Sequence, residues 1–381
     1  MSSRLRTRAV LATVAAALCV PATASAAFTV VPSPNAFSGN NLLNGVSASS
    51  ATNAWAVGSL CCSVRNSGTG ALIEHWDGRA WSVVPGAPDA RFLDEVLNGV
   101  DDVKASSAWA VGRVKRSGYT GASPLVLHWN GSSWQTVSPP SEVTGELRAV
   151  SRDGLGGAWA VGDDGHGHPL ALRCNAATCT QAALPPVGSV GRLRGIKAVA
   201  SNDVWAVGDS GNSTLVIHWD GAAWSVVPSP NPDPNVNVLH AITRAGVDDL
   251  WAVGQKGLDK GNTGVPPGTR TLALHWDGTS WSPASTPNRG DQDSLRGVAA
   301  TGPAAVTAVG TFQDVAGGGA DRTLGLRWGG ASWATVATPN VGTADNLLRA
   351  VARITNTSEM WAVGLHLTAG GPIKTLVLRG P

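Results

Sequence analysis

Short runs of alternating apolar and polar residues recur along the chain and are separated by polar turns. The clearest run is Trp-Ala-Val-Gly, which begins at positions 55, 109, 159, 205, 251 and 361, and a variant, Thr-Ala-Val-Gly, begins at position 307. Successive copies begin 46 to 56 residues apart. The alternation predicts short β-strands, and a period of about fifty residues predicts an array of similar units.

Each repeat is predicted to contain four strands, which we call A to D. Strand A carries Leu-x-(Gly/Ala)-(Val/Ile), strand B is Trp-Ala-Val-Gly, strand C is Leu-x-x-His-Trp, and strand D usually opens with Trp after an Asp-Gly turn. Asp-Gly is a strong hairpin signal. Trp and Val share one face of strand B and Ala and Gly the other, so a large face would meet a small one. Four antiparallel strands per repeat predict a propeller blade.

The two ends of the chain indicate how the array closes. The last repeat stops after strand C, whereas Phe-Thr-Val-Val-Pro-Ser-Pro-Asn at 28–35 matches strand D of the middle repeat, Trp-Ser-Val-Val-Pro-Ser-Pro-Asn at 224–231. We therefore predict an all-β, seven-bladed β-propeller of four-stranded antiparallel blades, closed by the N-terminal strand completing the last blade. Residues 27–381 would form this single domain, since the split repeat disfavours two stacked domains.

Residues 1–26 have the features of a secretory signal peptide. Arg4, Arg6 and Arg8 precede a short apolar run, and Ala-Ser-Ala at 24–26 gives a cleavage pattern before Ala27. The apolar run is too short to span a bilayer. We therefore expect a secreted, extracellular protein with no stable membrane insertion.

The mature chain would be nearly neutral. Cleavage removes three of the 28 basic residues and leaves 25 against 26 acidic ones, a net charge of about −1. Binding of nucleic acid would need a surplus of basic residues, so we expect no nucleic-acid partner. We also expect a monomer.

The repeat resembles those of secreted kelch-like, galactose-oxidase-like and Asp-box-like propellers, and most of all those of uncharacterised exported proteins that carry Trp-Ala-Val-Gly. The resemblance covers the whole mature chain and implies the fold, but propellers serve as enzymes, lectins and scaffolds alike. A galactose-oxidase-like copper site is expected to use two tyrosines, and this chain has only Tyr119. The Asp-box pattern is merely echoed, as in Asp-Gly-x-x-Trp at 77–81, without its serine and with a shorter spacing.

Most tryptophans and histidines belong to the repeat itself. All 16 tryptophans fall in strand B, at the end of strand C or at the start of strand D, so we interpret them as packing residues between blades. His75, His128, His218 and His275 share a strand C position that is arginine in the other repeats. This interchange favours a structural hydrogen-bond donor over a catalytic group.

Four cysteines lie in the mature chain. Cys174 and Cys179 replace the two hairpin tryptophans of the third repeat and would face each other, so we predict a disulfide between them. Cys61 and Cys62 are adjacent, and a vicinal disulfide, two free thiols and an intermolecular bond all stay open. No zinc-ligand spacing is present.

The candidate ligand-binding residues are Tyr119 and the basic residues at position x of strand A, namely Arg148, Arg194, His240, Arg296 and Arg349. Around the array this position is Asn44, Asn98, Arg148, Arg194, His240, Arg296 and Arg349. In a closed propeller it would surround one mouth of the channel, on the face where the variable D–A and B–C loops emerge, including the loop of Tyr119. A basic ring there would suit a carboxylate or sulfate group. The alternative is that each arginine pairs with an acidic residue or with backbone carbonyls between blades.

The function predicted from these features is binding. We expect a non-catalytic binding or scaffold protein that recognises a glycan or a protein through the D–A/B–C loop face. The alternative is a propeller hydrolase or lyase that acts on an acidic saccharide held by the position x arginines. Asp163, His166 and His168 could ligate a metal, but polar glycine-rich loops look similar, and we predict no metal, no cofactor and no catalytic residue.

Overall fold

The computed structural model describes residues 27–36, 38–63, 66–86, 92–116, 121–188, 190–257, 268–313 and 319–381. Every named element in these ranges is a β-strand. The strands, in chain order, are β1 (Thr29–Val30), β2 (Asn40–Ser50), β3 (Asn53–Ser63), β4 (Asn66–Trp76), β5 (Trp81–Val83), β6 (Phe92–Lys104), β7 (Ser107–Arg116), β8 (Ser123–Trp129), β9 (Trp134–Thr136), β10 (Glu146–Arg152), β11 (Ala158–Asp163), β12 (Pro169–Cys174), β13 (Cys179–Gln181), β14 (Gly191–Ala200), β15 (Asp203–Ser210), β16 (Ser213–Trp219), β17 (Trp224–Val226), β18 (Asn237–Gly246), β19 (Asp249–Lys256), β20 (Arg270–Trp276), β21 (Trp281–Ala284), β22 (Gln292–Gly302), β23 (Ala305–Gln313), β24 (Asp321–Trp328), β25 (Trp333–Thr335), β26 (Asn346–Arg353), β27 (Met360–Leu367) and β28 (Ile373–Gly380).

The strands form a β-propeller whose sheets differ in number from the prediction. Five separate four-stranded sheets are present: β10 to β13, β14 to β17, β18 to β21, β22 to β25, and β26 to β28 with β1. Strands β2 to β9 of the first two repeats instead form one eight-stranded sheet. The prediction of seven four-stranded blades is therefore wrong, since only five stand as sheets of their own. The cause is a parallel pairing of Thr69 with Asp94, whose carboxylate also accepts a hydrogen bond from the Thr69 amide at 3.0 Å.

The predicted closure by the N-terminal strand also needs correction. Strand β1 pairs with β28 over only two residues, Thr29 and Val30, and both are exposed. The ring closes instead where the inner strand β2 packs against β26, β27 and β28. Trp76 and Trp81 of the first repeat pack there against Trp361 of the last. The closing contact is therefore an apolar interface between sheets, and β1 adds a short outer strand beside it.

Strand A of every repeat lies on the inside of the ring. These inner strands, β2, β6, β10, β14, β18, β22 and β26, contact one another in this order, and β26 contacts β2. Each contains a register shift that spans position x, for example between Leu43 and Gly45. A β-bulge inserts one unpaired residue and redirects its side chain. Position x is this bulge residue in all of these strands.

Two glycines of the repeat, one at the end of Trp-Ala-Val-Gly and one directly after position x, lie where a side chain would clash with backbone. A Cβ atom on Gly58, which ends Trp-Ala-Val-Gly, would lie 2.0 Å from the backbone oxygen of Leu42 on the adjacent strand of the same sheet. A Cβ atom on Gly45, which follows position x, would lie 3.0 Å from the backbone oxygen of Asn98 in the next repeat. The first glycine therefore accommodates the bulge, and the second allows the inner strands to approach closely.

The tryptophans pack between neighbouring repeats, as the sequence predicts. The ring of Trp55 lies 4.9 Å from Trp129 and 5.0 Å from Trp134, the two hairpin tryptophans of the next repeat. In the third repeat the pair is replaced by Cys174 and Cys179, which form the predicted disulfide beside Trp109.

Thr307 interrupts the tryptophan pattern at one interface. The hairpin position that faces it carries Gly380 and Phe28 instead of two tryptophans, and Phe28 is buried. The two departures therefore occur together, on either side of the same interface. The part of the chain that the structure describes contains no helix long and apolar enough to span a bilayer.

Candidate functional site

The position x residues come together at one end of the central channel. Asn44, Asn98, Arg148, Arg194, His240, Arg296 and Arg349 line a single cavity of about 340 Å³. Each side chain leaves its strand at the bulge, near the strand's beginning, so the cavity opens on the face of the D–A and B–C loops. We call it the loop-face cavity.

Two arginines of this cavity are paired with carboxylates. Arg148 Nε lies 3.0 Å from Asp163 Oδ2, and its Nη2 lies 3.3 Å from Glu146 Oε2. Arg194 Nε lies 2.5 Å from Asp209 Oδ1. Asp163 and Asp209 directly follow the glycine of strand B, which places them beside position x of the same sheet. Arg148 and Arg194 therefore have the acidic partners that the structural alternative describes.

The other two arginines have no carboxylate partner. The residue that follows the strand B glycine is Thr311 in the repeat of Arg296 and Leu365 in that of Arg349. Among the described residues, no carboxylate lies within ion-pair distance of either guanidinium. Arg296 Nη1 lies 3.2 Å from His240 Nε2, and Arg349 Nη1 donates to Asn44 Oδ1 at 2.8 Å. Both side chains remain exposed to the cavity.

The unpaired arginines, Arg296 and Arg349, affect the pKa values in the cavity. Surrounding protein, together with the positive charges of Arg194 and Arg349, lowers the pKa of Arg296 to about 10, and the more distant Asp321 only partly opposes them. The surrounding protein also lowers the pKa of Arg349, because it displaces water from around the guanidinium. Burial and then Arg296, Arg194 and Arg148 hold the pKa of His240 well below 6.5. At neutral pH the imidazole is therefore uncharged, and its Nε2 can accept the hydrogen bond from Arg296.

The asparagines of the ring bridge neighbouring repeats. Asn44 Nδ2 donates to the Leu97 carbonyl at 2.8 Å, and Asn98 Nδ2 donates to the Leu147 carbonyl at 2.8 Å. Asn98 also donates to Glu146 Oε1 at 2.7 Å. These bonds connect neighbouring repeats at the rim of the cavity. Because asparagine is uncharged, the positive charge of the ring comes from the arginines.

The other candidate residues lie elsewhere. Tyr119 lies outside the described residues. Asp163 faces Arg148, whereas His168 Nδ1 lies 2.8 Å from Asp164, whose carboxylate also accepts from the backbone amide of His166. The structure does not bring the three metal candidates together, and no metal-binding group of three or more His, Cys, Asp or Glu residues occurs in the described ranges. Cys61 is disulfide-bonded, and the side chain of Cys62 lies outside the described residues.

The strand C histidines have structural surroundings. His275 stacks on Trp251 with ring centroids 4.4 Å apart, and its Nε2 lies 2.9 Å from Asp249 at the start of strand B. His218 makes the same contacts with Trp205 and Asp203. In the last repeat the guanidinium of Arg379 takes the place of the imidazole above a strand B tryptophan. This agrees with the predicted role as structural donors.

Sequence reasoning missed the partners of position x. The position after Trp-Ala-Val-Gly is Ser59, Arg113, Asp163, Asp209, Gln255, Thr311 and Leu365. Aligning this position with position x, repeat by repeat, would have separated the paired arginines from the unpaired ones. The signal was present, but the bulge that makes the two positions neighbours was not predicted.

The fold and the site together define a β-propeller with a partly unneutralised basic cavity at one end of its channel. No protein-family model and no curated protein matches the chain. Its fold is similar to that of several solved structures. YCF48 bound to a D1 peptide is 16% identical with a TM-score of 0.57, over 94% of this chain and 96% of that chain. YCF48 from Cyanidioschyzon merolae is 14% identical with a TM-score of 0.52, over 93% and 98%.

A GH74 xyloglucanase from Xanthomonas campestris is also similar, with 14% identity and a TM-score of 0.56. The match covers 92% of this chain, which spans about half (55%) of the xyloglucanase. Identities this low show a shared propeller fold alone. The kelch-like and Asp-box-like relationships stay predictions.

Proposed function

We propose that this protein is an exported, non-catalytic binding protein that takes a carboxylate of a peptide segment in the loop-face cavity. The observation that carries the proposal is the pair Arg296 and Arg349, two guanidinium groups that face the cavity and have no carboxylate within ion-pair distance among the described residues. An arginine pair of this kind suits a carboxylate, which can accept two parallel hydrogen bonds from one guanidinium and is attracted by the charge of the other.

The size of the cavity favours a small part of a larger ligand. A volume of about 340 Å³ at the mouth of a channel can admit a side chain or a chain end, while the surrounding loops contact the rest of the ligand. A propeller of the same fold, YCF48, is known with a bound peptide. That likeness is in fold only, and it supports a peptide as the first ligand class to test.

The test is a binding measurement with labelled peptides that end in a free carboxylate, alongside the same peptides with an amidated end. We expect the carboxylate peptides to bind more tightly. Arg296→Ala and Arg349→Ala should each weaken binding by about tenfold to a hundredfold, since each removes a charge-assisted hydrogen bond. The control is Arg79→Ala, in an exposed turn between β4 and β5, which should leave affinity unchanged. Equal affinity for both peptide forms would contradict the proposal.

A second candidate is a hydrolase or lyase that acts on an acidic saccharide. Its support is the set of carboxylates at the cavity wall, Glu146, Asp163 and Asp209, and the similar fold of a xyloglucanase. Each of these carboxylates already contacts an arginine, which makes it a poor candidate for delivering a proton to a leaving group. Cleavage of uronic-acid-containing oligosaccharides by the purified protein, lost in Asp209→Asn, would favour this function over binding.

A further inference from the structure

A larger cavity occupies the opposite end of the channel. It has a volume of about 700 Å³ and is lined by the later residues of the inner strands and by the turns that follow them. Because strand A begins at the D–A loop and ends at the A–B turn, this cavity opens on the face of the regular turns. We call it the turn-face cavity. The predicted binding face lies at the other end, so the sequence-based hypothesis does not include this site.

Four basic side chains converge on the turn-face cavity. Arg152, Lys197, Arg244 and Arg353 come from four different inner strands and all line it. Each of the three arginines is close enough to Lys197 to lower its pKa. The four charges therefore surround one region of space and are not spread over a surface.

The carboxylates that line this cavity are fewer than its basic groups and leave part of the positive charge uncompensated. Asp101 faces Lys197 and raises its pKa, against the lowering by burial and the arginines. Asp102 is buried, and its oxygens accept from the Ser47 hydroxyl, the Ser49 amide and Asn53. Asp153 is buried too, and it accepts from the turn amides of Leu155 and Gly157. Asp153 Oδ2 also lies 3.6 Å from Nη2 of Arg173, which does not line the cavity, so among the described lining residues four cations face Asp101 and Asp102.

Two of the cations have no direct hydrogen-bond or ion-pair partner among the described residues. Arg152 donates to the Asp102 carbonyl, and Arg244 donates to the Gly246 carbonyl. Within the described ranges, the side chains of Lys197 and Arg353 make no hydrogen bond and no ion pair. Cations left unpaired in a concave, partly desolvated place are stabilised by an added anion, which replaces the missing partners.

The arrangement suits an anion with several oxygens in three dimensions. Basic groups approach from four strands, and Ser151 and Thr243 also line the cavity. A tetrahedral oxyanion offers acceptor oxygens in different directions and a double negative charge, whereas a carboxylate offers two coplanar oxygens. We propose that the turn-face cavity is a binding site for a small molecule that carries a phosphate or sulfate group.

The proposal is independent of the loop-face site. The two cavities lie at opposite ends of the channel and share no lining residue. Arg349→Ala, which should impair carboxylate binding at the loop face, should therefore leave oxyanion binding unchanged. Failure of one site to bind its ligand leaves the other hypothesis intact.

The experiment is titration calorimetry of the folded protein with inorganic phosphate and, separately, with sulfate at low ionic strength. We expect binding of at least one of them in the millimolar range or tighter, and the tighter of the two identifies the preferred group. Lys197→Met should weaken binding by about tenfold or more, since it removes one charge-assisted contact without leaving an unpaired group. Arg353→Ala should have a similar effect.

A second readout comes from the proton on Lys197. The bound anion should raise the lowered pKa of this ammonium group, so binding at a pH where Lys197 is partly deprotonated should take up protons and depend on the ionisation enthalpy of the buffer. Lys374→Met, at a lysine of strand β28 that does not line the cavity, is the matched control and should retain wild-type affinity. The proposal is overturned if neither anion binds, or if Lys197→Met and Arg353→Ala both bind as the wild type does.

Discussion

A buried carboxyl group, Glu74, provides the sharpest test of the packing between the first and last repeats. It occupies a strand C position that is leucine or isoleucine in every other repeat, namely Leu127, Leu172, Ile217, Leu274, Leu326 and Leu378. Glu74 has no solvent exposure, and neither of its oxygens has a hydrogen-bond partner within bonding distance. The Ser33 hydroxyl favours its charged form, but its effect on the pKa is smaller than that of burial.

The size of the effect follows from the pKa. Burial raises the pKa of Glu74 from 4.5 to about 8. The folded protein therefore holds this proton more tightly than the unfolded chain does. The stability associated with the proton is complete below pH 4.5 and is lost as the pH rises towards 8. The loss is about 3 kcal/mol at about pH 7 and levels off at about 5 kcal/mol above the folded-state pKa.

Glu74→Leu, which restores the residue type of the other repeats, should raise the unfolding free energy by about 3 kcal/mol or more at about pH 7. It should also remove the decline in stability between about pH 5 and about pH 9. Glu74→Gln should remove the decline but leave a buried amide without partners, so it should be less stable than Glu74→Leu.

The assay is denaturant unfolding at several pH values. Glu142→Leu, at an exposed glutamate, is the matched control and should follow the wild-type pH dependence. The reasoning is refuted if the wild type loses no more stability than Glu74→Leu across this range, or if Glu74→Leu is less stable than the wild type at high pH.

Three further outcomes are expected. Arg296→Ala removes a cation beside His240, so the pKa of this imidazole should rise towards 6.5, and an NMR titration that shows no rise would contradict the described geometry. Replacing both Cys174 and Cys179 with alanine should lower the unfolding free energy by about 2 kcal/mol. Replacing both with tryptophan should lower the unfolding free energy by less, because other hairpins pack a tryptophan pair at these positions. Equal losses of thermal stability in the two variants would argue against this. Gly254→Ala would place a Cβ atom 1.9 Å from the Val238 carbonyl oxygen and should lower the unfolding free energy by about 4 kcal/mol or more. Gly302→Ala, where the Cβ atom would have no other atom within 4 Å, is the control and should leave the unfolding free energy nearly unchanged. A soluble, fully stable Gly254→Ala protein would show that the bulge contact is wrong.

Much of the site could be predicted because it repeats. Position x recurs in every strand A, and a local pattern that recurs with a constant phase must place equivalent residues at equivalent points of the ring. The convergence of Arg148, Arg194, His240, Arg296 and Arg349 on one cavity follows from this. The disulfide of Cys174 with Cys179 follows from the same logic, because two substitutions fall on facing positions of one hairpin.

The charge balance of the cavities could not be predicted in the same way. It depends on the β-bulge, which makes the residue after Trp-Ala-Val-Gly a neighbour of position x, and alternation alone does not reveal a bulge. The bulge places Asp209 beside Arg194, and Thr311 takes the corresponding position in the repeat of Arg296. Lys197 and Arg353 were missed because their positions vary between repeats and carry no motif.

The sequence by itself determined the order of strands, the packing role of the tryptophans and the ring of position x residues, since each rests on a pattern repeated within local stretches of chain. The tertiary structure decided how many sheets stand apart, because one pairing between Thr69 and Asp94 joins two repeats. It also decided which arginines are already neutralised and which are left to bind an anion. Whether an arginine is neutralised depends on its contacts with polar residues of the adjacent strand. These polar residues vary from repeat to repeat, whereas the apolar pattern stays the same.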